Sequence, residues 1–194
     1  KKEKSNIVNS TPNSLSMPGL IKGGFVIADY KIFERILPLR FDSLFKSFLL
    51  KFLFNILIPI YLFVIKYILI FFSNNNNISL NLIRDLEELP NEYFSTNDIE
   101  NHRSHNYLNW RYYNNPDQYN IYGVYYKKIY IGYLVFKETK HNNALALYLV
   151  DIYINKNYGM HFRTIVSKAI ISNNIYRYAY VATWISKKSI YWKH

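Results

Sequence analysis

The residue best suited to acid–base chemistry is an aspartate inside an apolar stretch. Asp151 interrupts the run Ala144–Ile154 (ALALYLVDIYI), whose other members are all apolar or aromatic. Burial in such a strand strips solvent from a carboxylate and makes it a stronger base, so Asp151 is a candidate general base. The alternative is a structural carboxylate that accepts hydrogen bonds from backbone amides or from Arg111.

A basic loop follows this run and leads into a predicted helix. Residues 155–163 (NKNYGMHFR) carry Lys156, His161 and Arg163 around Gly159. Backbone N–H groups at a helix start, together with the helix dipole, attract anions. The loop therefore predicts a phosphate-binding site, and a solvated basic turn is the alternative.

Composition restricts the other chemistries. The chain has no Cys, which excludes disulfides, thiolate ligands and a cysteine nucleophile and fits a cytoplasmic protein. His102 and His105 stand close in sequence without a third ligand, so we predict no metal site. The net charge is +11, and after Gln118 only Glu138 and Asp151 oppose 11 basic residues. This field favours an anionic partner, and the absence of clustered Arg favours a phosphate-rich cofactor over nucleic acid.

The elements that must position these residues follow from the spacing of apolar residues. The spacing of apolar residues is helical before Pro116 and strand-like after it. It becomes helical again over 162–171 and strand-like over 176–185. We predict helix, strand, strand, strand, helix and strand over 98–113, 119–126, 129–137, 144–154, 162–171 and 176–185. The first two strands form an antiparallel hairpin, the third is central in the sheet, and Ser186 caps a further helix.

The first half of the chain reads as a strand, a long apolar helix and a short helix. The strand covers 25–39, and the strongly apolar residues 41–72 place their polar positions on one side of a helix. That long hydrophobic helix packs on its own protein, lies on a membrane surface or spans a bilayer, and residues 44–72 would make the contact in the two membrane alternatives. After a polar joint at 74–77, an amphipathic helix is predicted over 80–89.

The element order and several local phrases resemble the Gcn5-related N-acetyltransferase (GNAT) family. Tyr107-Leu108-Asn109-Trp110-Arg111-Tyr112 is similar to the segment that leads into the first hairpin of one GNAT branch. Gly132-Tyr133-Leu134-Val135 is similar to the phrase that opens the second hairpin strand, and Asp151 to a lone Asp of the next strand. The resemblance covers residues 91–194.

A second, shorter likeness lies near the N-terminus. Lys22-Gly23-Gly24-Phe25 resembles the turn before the last strand of a GNAT domain. The implied organisation is the tail of a preceding acyltransferase-like lobe (1–40), a hydrophobic helical linker (41–90) and a C-terminally truncated GNAT-like lobe (91–194). The implied fold is α/β, with a mixed sheet whose antiparallel half is followed by a crossover helix and a parallel strand.

The resemblance implies that acetyl-CoA, or another acyl-CoA, lies between splayed central strands. The strand edge would pair with the pantetheine amides, the next loop would bind the pyrophosphate, and a tyrosine after the fourth strand would act as an acid beside the base. On this sequence the implied catalytic residues are Asp151 and Tyr191, and the implied cofactor-binding residues are Ile152, Ile154, Lys156, Tyr158, Gly159, Met160, His161 and Arg163. The family loop ends in a small residue where this chain has His161, and that departure hinders close approach of backbone to phosphate.

The implied activity, assigned to the full-length parent, is acyl transfer to an amine of a small molecule, sugar or peptide. One alternative is an aminoacyl-tRNA-dependent peptidoglycan transferase. Another is a non-catalytic, membrane-associated binding module with a decayed CoA loop.

The open edge of the last strand leads to one further expectation. Proteins avoid leaving a sheet edge unpaired. We therefore predict that the N-terminal strand pairs beside 176–185.

Overall fold

The computed structural model describes residues 17–24, 32–39, 48–85, 105–141, 144–186, 189 and 191. The chain divides into two compact units, 1–31 and 32–194. The described part of the first unit is helix α1 (Met17–Lys22), which ends where Gly23 donates its N–H to Gly19 and Gly24 adopts a φ of 87°.

The second unit is a mixed α/β fold built on one six-stranded sheet. Its strands are β1 (Ile32–Pro38), β2 (Ile78–Ile83), β3 (Tyr119–Tyr126), β4 (Ile129–His141), β5 (Ala144–Ile154) and β6 (Tyr180–Ser186). Its helices are α2 (Phe48–Ser73), α3 (His105–Leu108), which continues as a π-helical turn (Asn109–Tyr113), and α4 (Phe162–Ser172), with short 3-10 turns at Lys156–His161 and Ile175–Arg177.

The strands lie in the order β1-β6-β5-β4-β3-β2. Every neighbouring pair is antiparallel except β5 and β6, which are parallel and joined by the crossover helix α4. The β3–β4 hairpin turns at Lys127 and Lys128, whose φ angles of 48° and 69° fit the turn type that matches strand twist.

Strand alternation builds a core on each face of the sheet. On β4, Leu134 and Phe136 pack with α4 and α2, whereas Tyr133 and Val135 pack with α3 and its π-helical turn. We call these the α4 face and the α3 face. Helix α2 contains Pro59, packs against α4, and donates a hydrogen bond of 2.9 Å from Tyr61 Oη to the Pro38 carbonyl. In the described ranges, no helix is long and apolar enough to cross a membrane.

Most of the predicted order is confirmed. The hairpin, the strand at 144–154, helix α4 and the parallel last strand are all present, and 105–113 is helical, while 98–104 lies outside the described residues. Strand β1 pairs antiparallel with β6 along its whole length, from Ile32 opposite Ser186 to Pro38 opposite Tyr180, so the edge-pairing prediction is confirmed. Residues 25–31, 41–47 and the stretch after Ser186 that was expected to start a helix also fall outside the described ranges, apart from isolated residues near the C-terminus.

Two predicted elements are wrong. The helix at 80–89 is strand β2 over its described part, because Ile78–Ile83 pairs with β3 and buries only its terminal isoleucines. In the six-residue segment 78–83, the apolar side chains at 78, 80, 82 and 83 fit both the helical and the strand periodicity. Only pairing with the neighbouring strand decides between the two. The last strand starts at Tyr180 instead of 176, because Asn174 takes a left-handed conformation and Ile175–Arg177 forms a 3-10 turn.

Candidate functional site

A β-bulge in β5 determines where Asp151 points. On the β4–β5 ladder, Val135 lies opposite Asp151 and Phe136 opposite Leu149, so Val150 is an extra residue. Leu149 packs on the α4 face, and Ile152, three residues later, packs there too. The bulge therefore places Val150 and Asp151 together on the α3 face and explains why this strand does not alternate regularly.

Two tyrosines hold the carboxylate of Asp151. Tyr112 Oη donates a hydrogen bond of 2.9 Å to Oδ2, and Tyr133 Oη donates one of 3.1 Å to the same oxygen. Oδ1 accepts the N–H of Ile152 at 2.9 Å. Burial first, and then the nearby Asp151 carboxylate, raise the pKa of Tyr112 well above its usual range, so this phenol remains a donor at neutral pH.

Neither tyrosine was assigned to the site from the sequence. Both lie in the phrases quoted for the family resemblance, the segment 107–112 and the segment 132–135. Their meeting depends on packing α3 against β4 and β5, which sequence spacing does not encode. The guanidinium of Arg111, the expected structural partner, lies over the rings of Tyr107 and Tyr112 and donates to Tyr107 Oη at 2.5 Å.

The parallel strands β5 and β6 part beside the bulge. They pair from Ala146 opposite Tyr180 to Leu149 opposite Thr183, where Thr183 Oγ1 donates 2.9 Å to the Leu149 carbonyl. A cleft of about 380 Å³ opens on the α4 face alongside this pair and extends to Arg35, Ile36 and Leu37 of β1. Its mostly apolar walls include Leu149, Thr183, Ile185, Phe162, Val166 and Tyr191.

Tyr191 occupies the edge of β5 at this cleft. Its Oη accepts the Ile154 N–H at 3.1 Å and contacts the Ile154 carbonyl at 3.4 Å. Its ring stacks on Phe162, with centroids 4.8 Å apart and planes at 17°. The N–H groups of Ile152 and Ile154, predicted to pair with a cofactor, are thus engaged by Asp151 and Tyr191.

The predicted phosphate loop is a 3-10 turn instead of an open loop. The Asn155 side chain accepts the Asn157 N–H at 3.1 Å, and the Asn155 carbonyl accepts the Tyr158 N–H at 2.8 Å. Phe162 donates its N–H to Gly159. The hydrogen bonds of these amides are made within the turn, because Asn155 caps it. The prediction was that they would face a cleft beside Asp151, and they do not.

The side chains of the turn gather around the tip of the β3–β4 hairpin. The ring of Tyr126 has Tyr158 at 5.3 Å, a stacked His161 at 5.1 Å and the Lys127 ammonium at 5.6 Å. The Arg163 guanidinium lies 5.7 Å above Phe72 of α2. Lys127, at the hairpin turn, was not among the predicted phosphate-binding residues, and its ammonium lies over the same Tyr126 ring that Tyr158 and His161 contact.

Lys156 and Met160 are exposed, with 79% of Met160 in solvent. A Cβ on Gly159 would meet nothing within 4 Å, so packing does not require glycine there. The structure thus gathers Ile154, Tyr158, His161, Arg163 and Tyr191 on the α4 side, and it directs the Asp151 carboxylate to the α3 face.

Comparison with known proteins gives structural likenesses at low identity. No protein-family model matches the chain, and no curated protein sequence matches it. An aminoglycoside acetyltransferase from an uncultured soil metagenomic sample, solved with sisomicin, is 15% identical over 60% of this chain and 82% of that chain, with a TM-score of 0.39. A functionally unknown conserved protein from Staphylococcus epidermidis is 10% identical over 94% and 60%, with a TM-score of 0.44. Arabidopsis thaliana Naa50, in complex with the bisubstrate analogue CoA-Ac-MVNAL, is 17% identical over 50% and 66%, with a TM-score of 0.29.

Proposed function

We propose that this chain carries the site of an N-acyltransferase that moves an acyl group from acetyl-CoA, or another acyl-CoA, to an amine. The observation that carries the proposal is the parting of β5 and β6 after Leu149 and Thr183, where both residues also line an apolar cleft on the α4 face. This is the arrangement that the resemblance to the GNAT family implies for an acyl-CoA site.

The residues around the cleft suit the parts of such a donor. The cleft of about 380 Å³ has apolar walls that fit a thin pantetheine arm. Near the start of α4 and the tip of the β3–β4 hairpin, Lys127, His161 and Arg163 offer cationic or hydrogen-bonding groups to phosphates. Because the turn's own amides are bonded internally, these side chains and Lys156 would hold the phosphates.

The proposed base and the proposed acid lie on opposite faces of the sheet. When bound, the donor supplies a thioester that an amine nitrogen attacks, forming a C–N bond and breaking the C–S bond. Asp151, on the α3 face at the bulge, would accept the proton that the amine loses. Tyr191, on the α4 face at the β5 edge, would give its phenolic proton to the departing sulfur.

A charge-reversal titration tests the donor site. The double variant Lys156→Glu with Arg163→Glu should weaken CoA binding by about tenfold or more, since exposed charge pairs are worth roughly 0.2–1 kcal/mol each and reversal adds repulsion. Lys140→Glu, exposed at the far end of β4, is the matched control and should change affinity little. Calorimetric titration reads the result. Absence of CoA binding by the wild-type chain at millimolar ligand would show that no donor site exists.

A second candidate function, a membrane-associated binding module, is favoured by the outer face of α2. In the part of this helix whose side chains the structure describes, eight large apolar side chains are exposed: Leu57, Ile60, Phe63, Val64, Tyr67, Ile68, Ile70 and Phe71. The opposite side packs inward through Ile65 and Leu69. An exposed apolar patch of this kind marks an interaction surface, and the net charge of +11 is complementary to anionic lipid.

Vesicle sedimentation tests the second candidate. Phe63→Ser with Phe71→Ser should abolish binding to anionic vesicles, whereas Ile129→Ser, an exposed apolar residue at the hairpin turn, should not. If the chain ignores vesicles and instead dimerises through this face, light scattering will show a monomer for the double variant, and the membrane candidate fails.

A further inference from the structure

A row of aromatic and acidic side chains crosses β5, β6 and β1 on the face away from α4. Tyr148 and Trp184 lie with ring centroids 5.1 Å apart and planes at 31°. Tyr148 Oη donates to Glu34 Oε1 at 3.3 Å and shares a hydrogen bond of 3.2 Å with Tyr180 Oη. Three strands thus present an indole, a phenol and a carboxylate at one place.

Strand register explains why these side chains meet. Glu34 of β1 lies directly opposite Trp184 of β6, and directly opposed residues of antiparallel strands share a face. On β5, Leu147 and Leu149 pack on the α4 face, so Tyr148 between them points to the other face. The row is therefore fixed by three strands of the sheet and does not depend on a loop.

The row is open to solvent. Trp184 is 59% exposed, and Ile32 and Ile36, which flank Glu34 on β1, are each 54% exposed. Tyr148 is half-buried, and burial together with its bonds to Tyr180 and Glu34 raises its pKa above the usual range. It stays neutral at physiological pH, so among the described side chains of this row the Glu34 carboxylate is the charged partner.

We propose that Tyr148, Trp184 and Glu34 form a binding site for an organic cation, specifically the primary ammonium group of an alkyl amine. An ammonium group over the face of Trp or Tyr is attracted by the ring quadrupole, and a neighbouring carboxylate adds a charge-assisted hydrogen bond. A chain with a net charge of +11 repels cations at long range, so a local site of this kind would be needed to hold one.

The site lies next to the gap between the parted strands. Trp184 is the first residue of β6 after the last β5–β6 pair, and Asp151 follows the bulge on β5 on this same side of the sheet. An amine bound here would be the acceptor for the transfer, and this role rests on the proposed acyltransferase function. Binding of the cation does not rest on it.

Titration of the whole chain with n-butylammonium, followed by the indole N–H resonance of Trp184 in NMR spectra, tests the site. n-Butanol is the neutral probe of matched shape. We expect saturable shifts with the ammonium at millimolar concentration and weaker, non-saturating shifts with the alcohol. Trp184→Phe assigns the resonance.

Two substitutions separate the contributions. Glu34→Gln keeps the shape and should weaken ammonium binding by about threefold or more. Tyr148→Leu, followed by the same Trp184 resonance, should weaken it by a similar factor through loss of the second ring. Asp117→Asn is the matched control, because Asp117 is an exposed carboxylate paired elsewhere, with Lys137, and it should leave binding unchanged.

Each outcome is decisive. Equal shifts with ammonium and alcohol, or no effect of Glu34→Gln in a variant whose amide spectrum stays dispersed, would overturn the cation site. Saturable cation binding without any acyl transfer from acetyl-CoA would leave the site standing and remove the proposed function. Acyl transfer that Glu34→Gln leaves untouched would separate the acceptor from this site.

Discussion

The phenol of Tyr112 donates a hydrogen bond of 2.9 Å to Oδ2 of Asp151 and so connects the π-helical turn before β3 to the bulge in β5. The same oxygen accepts Tyr133 at 3.1 Å. Both tyrosines are buried, at 4% and 0% exposure, while Asp151 is half-buried. One carboxylate oxygen thus holds together three parts of the lobe.

Removal of the Tyr112 hydroxyl should destabilise the fold. A hydrogen bond to a charged group is worth about 1.5–3 kcal/mol, so Tyr112→Phe should lower the free energy of unfolding by about that amount in urea denaturation. Tyr67→Phe on α2 is the control, since the Tyr67 side chain is 67% exposed. In a double-mutant cycle with Asp151→Ala, additive losses would contradict the coupling inferred from the geometry.

Alkaline pH should unfold the chain through its buried tyrosines. Burial is the largest cause that raises the pKa of Tyr112, Tyr148 and Tyr178, with help from Asp151, Tyr180 and Glu138 respectively. A folded-state pKa above the unfolded value of about 10 means that the stabilisation is full below pH 10 and is lost as pH rises through the folded value.

The measurement compares tyrosinate absorbance with circular dichroism during an alkaline titration. Some of the 20 tyrosines should ionise first, and a remaining group only together with loss of secondary structure. Tyr178→Phe, which removes the phenol bonded to Glu138 Oε1 at 2.5 Å, should reduce the second group. One smooth ionisation with no link to unfolding would refute the expectation.

Gly132 should tolerate no side chain. A Cβ there would lie 2.0 Å from the Tyr153 carbonyl oxygen of β5, and this neighbour is backbone in the middle of the sheet. Gly132→Ala should therefore cost about 3 kcal/mol of unfolding free energy or prevent folding. Gly159→Ala is the matched control, because its Cβ would meet nothing within 4 Å and should stabilise by up to about 1 kcal/mol. Equal melting temperatures for the two variants would contradict this account.

Tyr191→Phe should separate donor binding from turnover. The variant loses the hydroxyl that engages both backbone groups of Ile154, so the β5 edge becomes available and CoA should bind about fivefold more tightly, the equivalent of one hydrogen bond. If Tyr191 is the acid of the proposed reaction, kcat should fall by about a hundredfold in the same variant. A drop in affinity with unchanged kcat would reverse both assignments. The ring stack on Phe162 remains and preserves the local packing.

The sequence alone determined the elements that carry a strong local signal. The segments 119–126 and 129–137 alternate on both sides of a Lys-Lys turn, and the uninterrupted apolar run 144–154 requires a central strand. Helix α4 shows apolar residues at helical spacing. The pairing of β1 with β6 was also predictable. The last strand has an open edge, and a strand without a predicted partner in the same chain can form hydrogen bonds with that edge.

Sequence reasoning identified the region of the candidate site but not its geometry. Asp151 was recognised as an isolated carboxylate in an apolar strand, yet its partners Tyr112 and Tyr133 stand 39 and 18 residues away. The residues 155–163 were recognised as basic, yet Asn155 closes them into a turn that uses its own amides.

Only the tertiary structure decided the features that depend on a neighbouring strand. The segment 78–83 became β2 because β3 offers it an edge, although its apolar spacing fits a helix equally well. The bulge at Val150 shifted the alternation of β5 by one residue and directed Asp151 away from the cleft that Tyr191 lines. Local propensity is a property of a few adjacent residues, whereas the register of a strand and the face of each side chain are set by hydrogen bonds to strands far away in sequence. The sequence could therefore propose Asp151 and Tyr191 as chemical groups, and only the fold could assign them to opposite sides of the sheet.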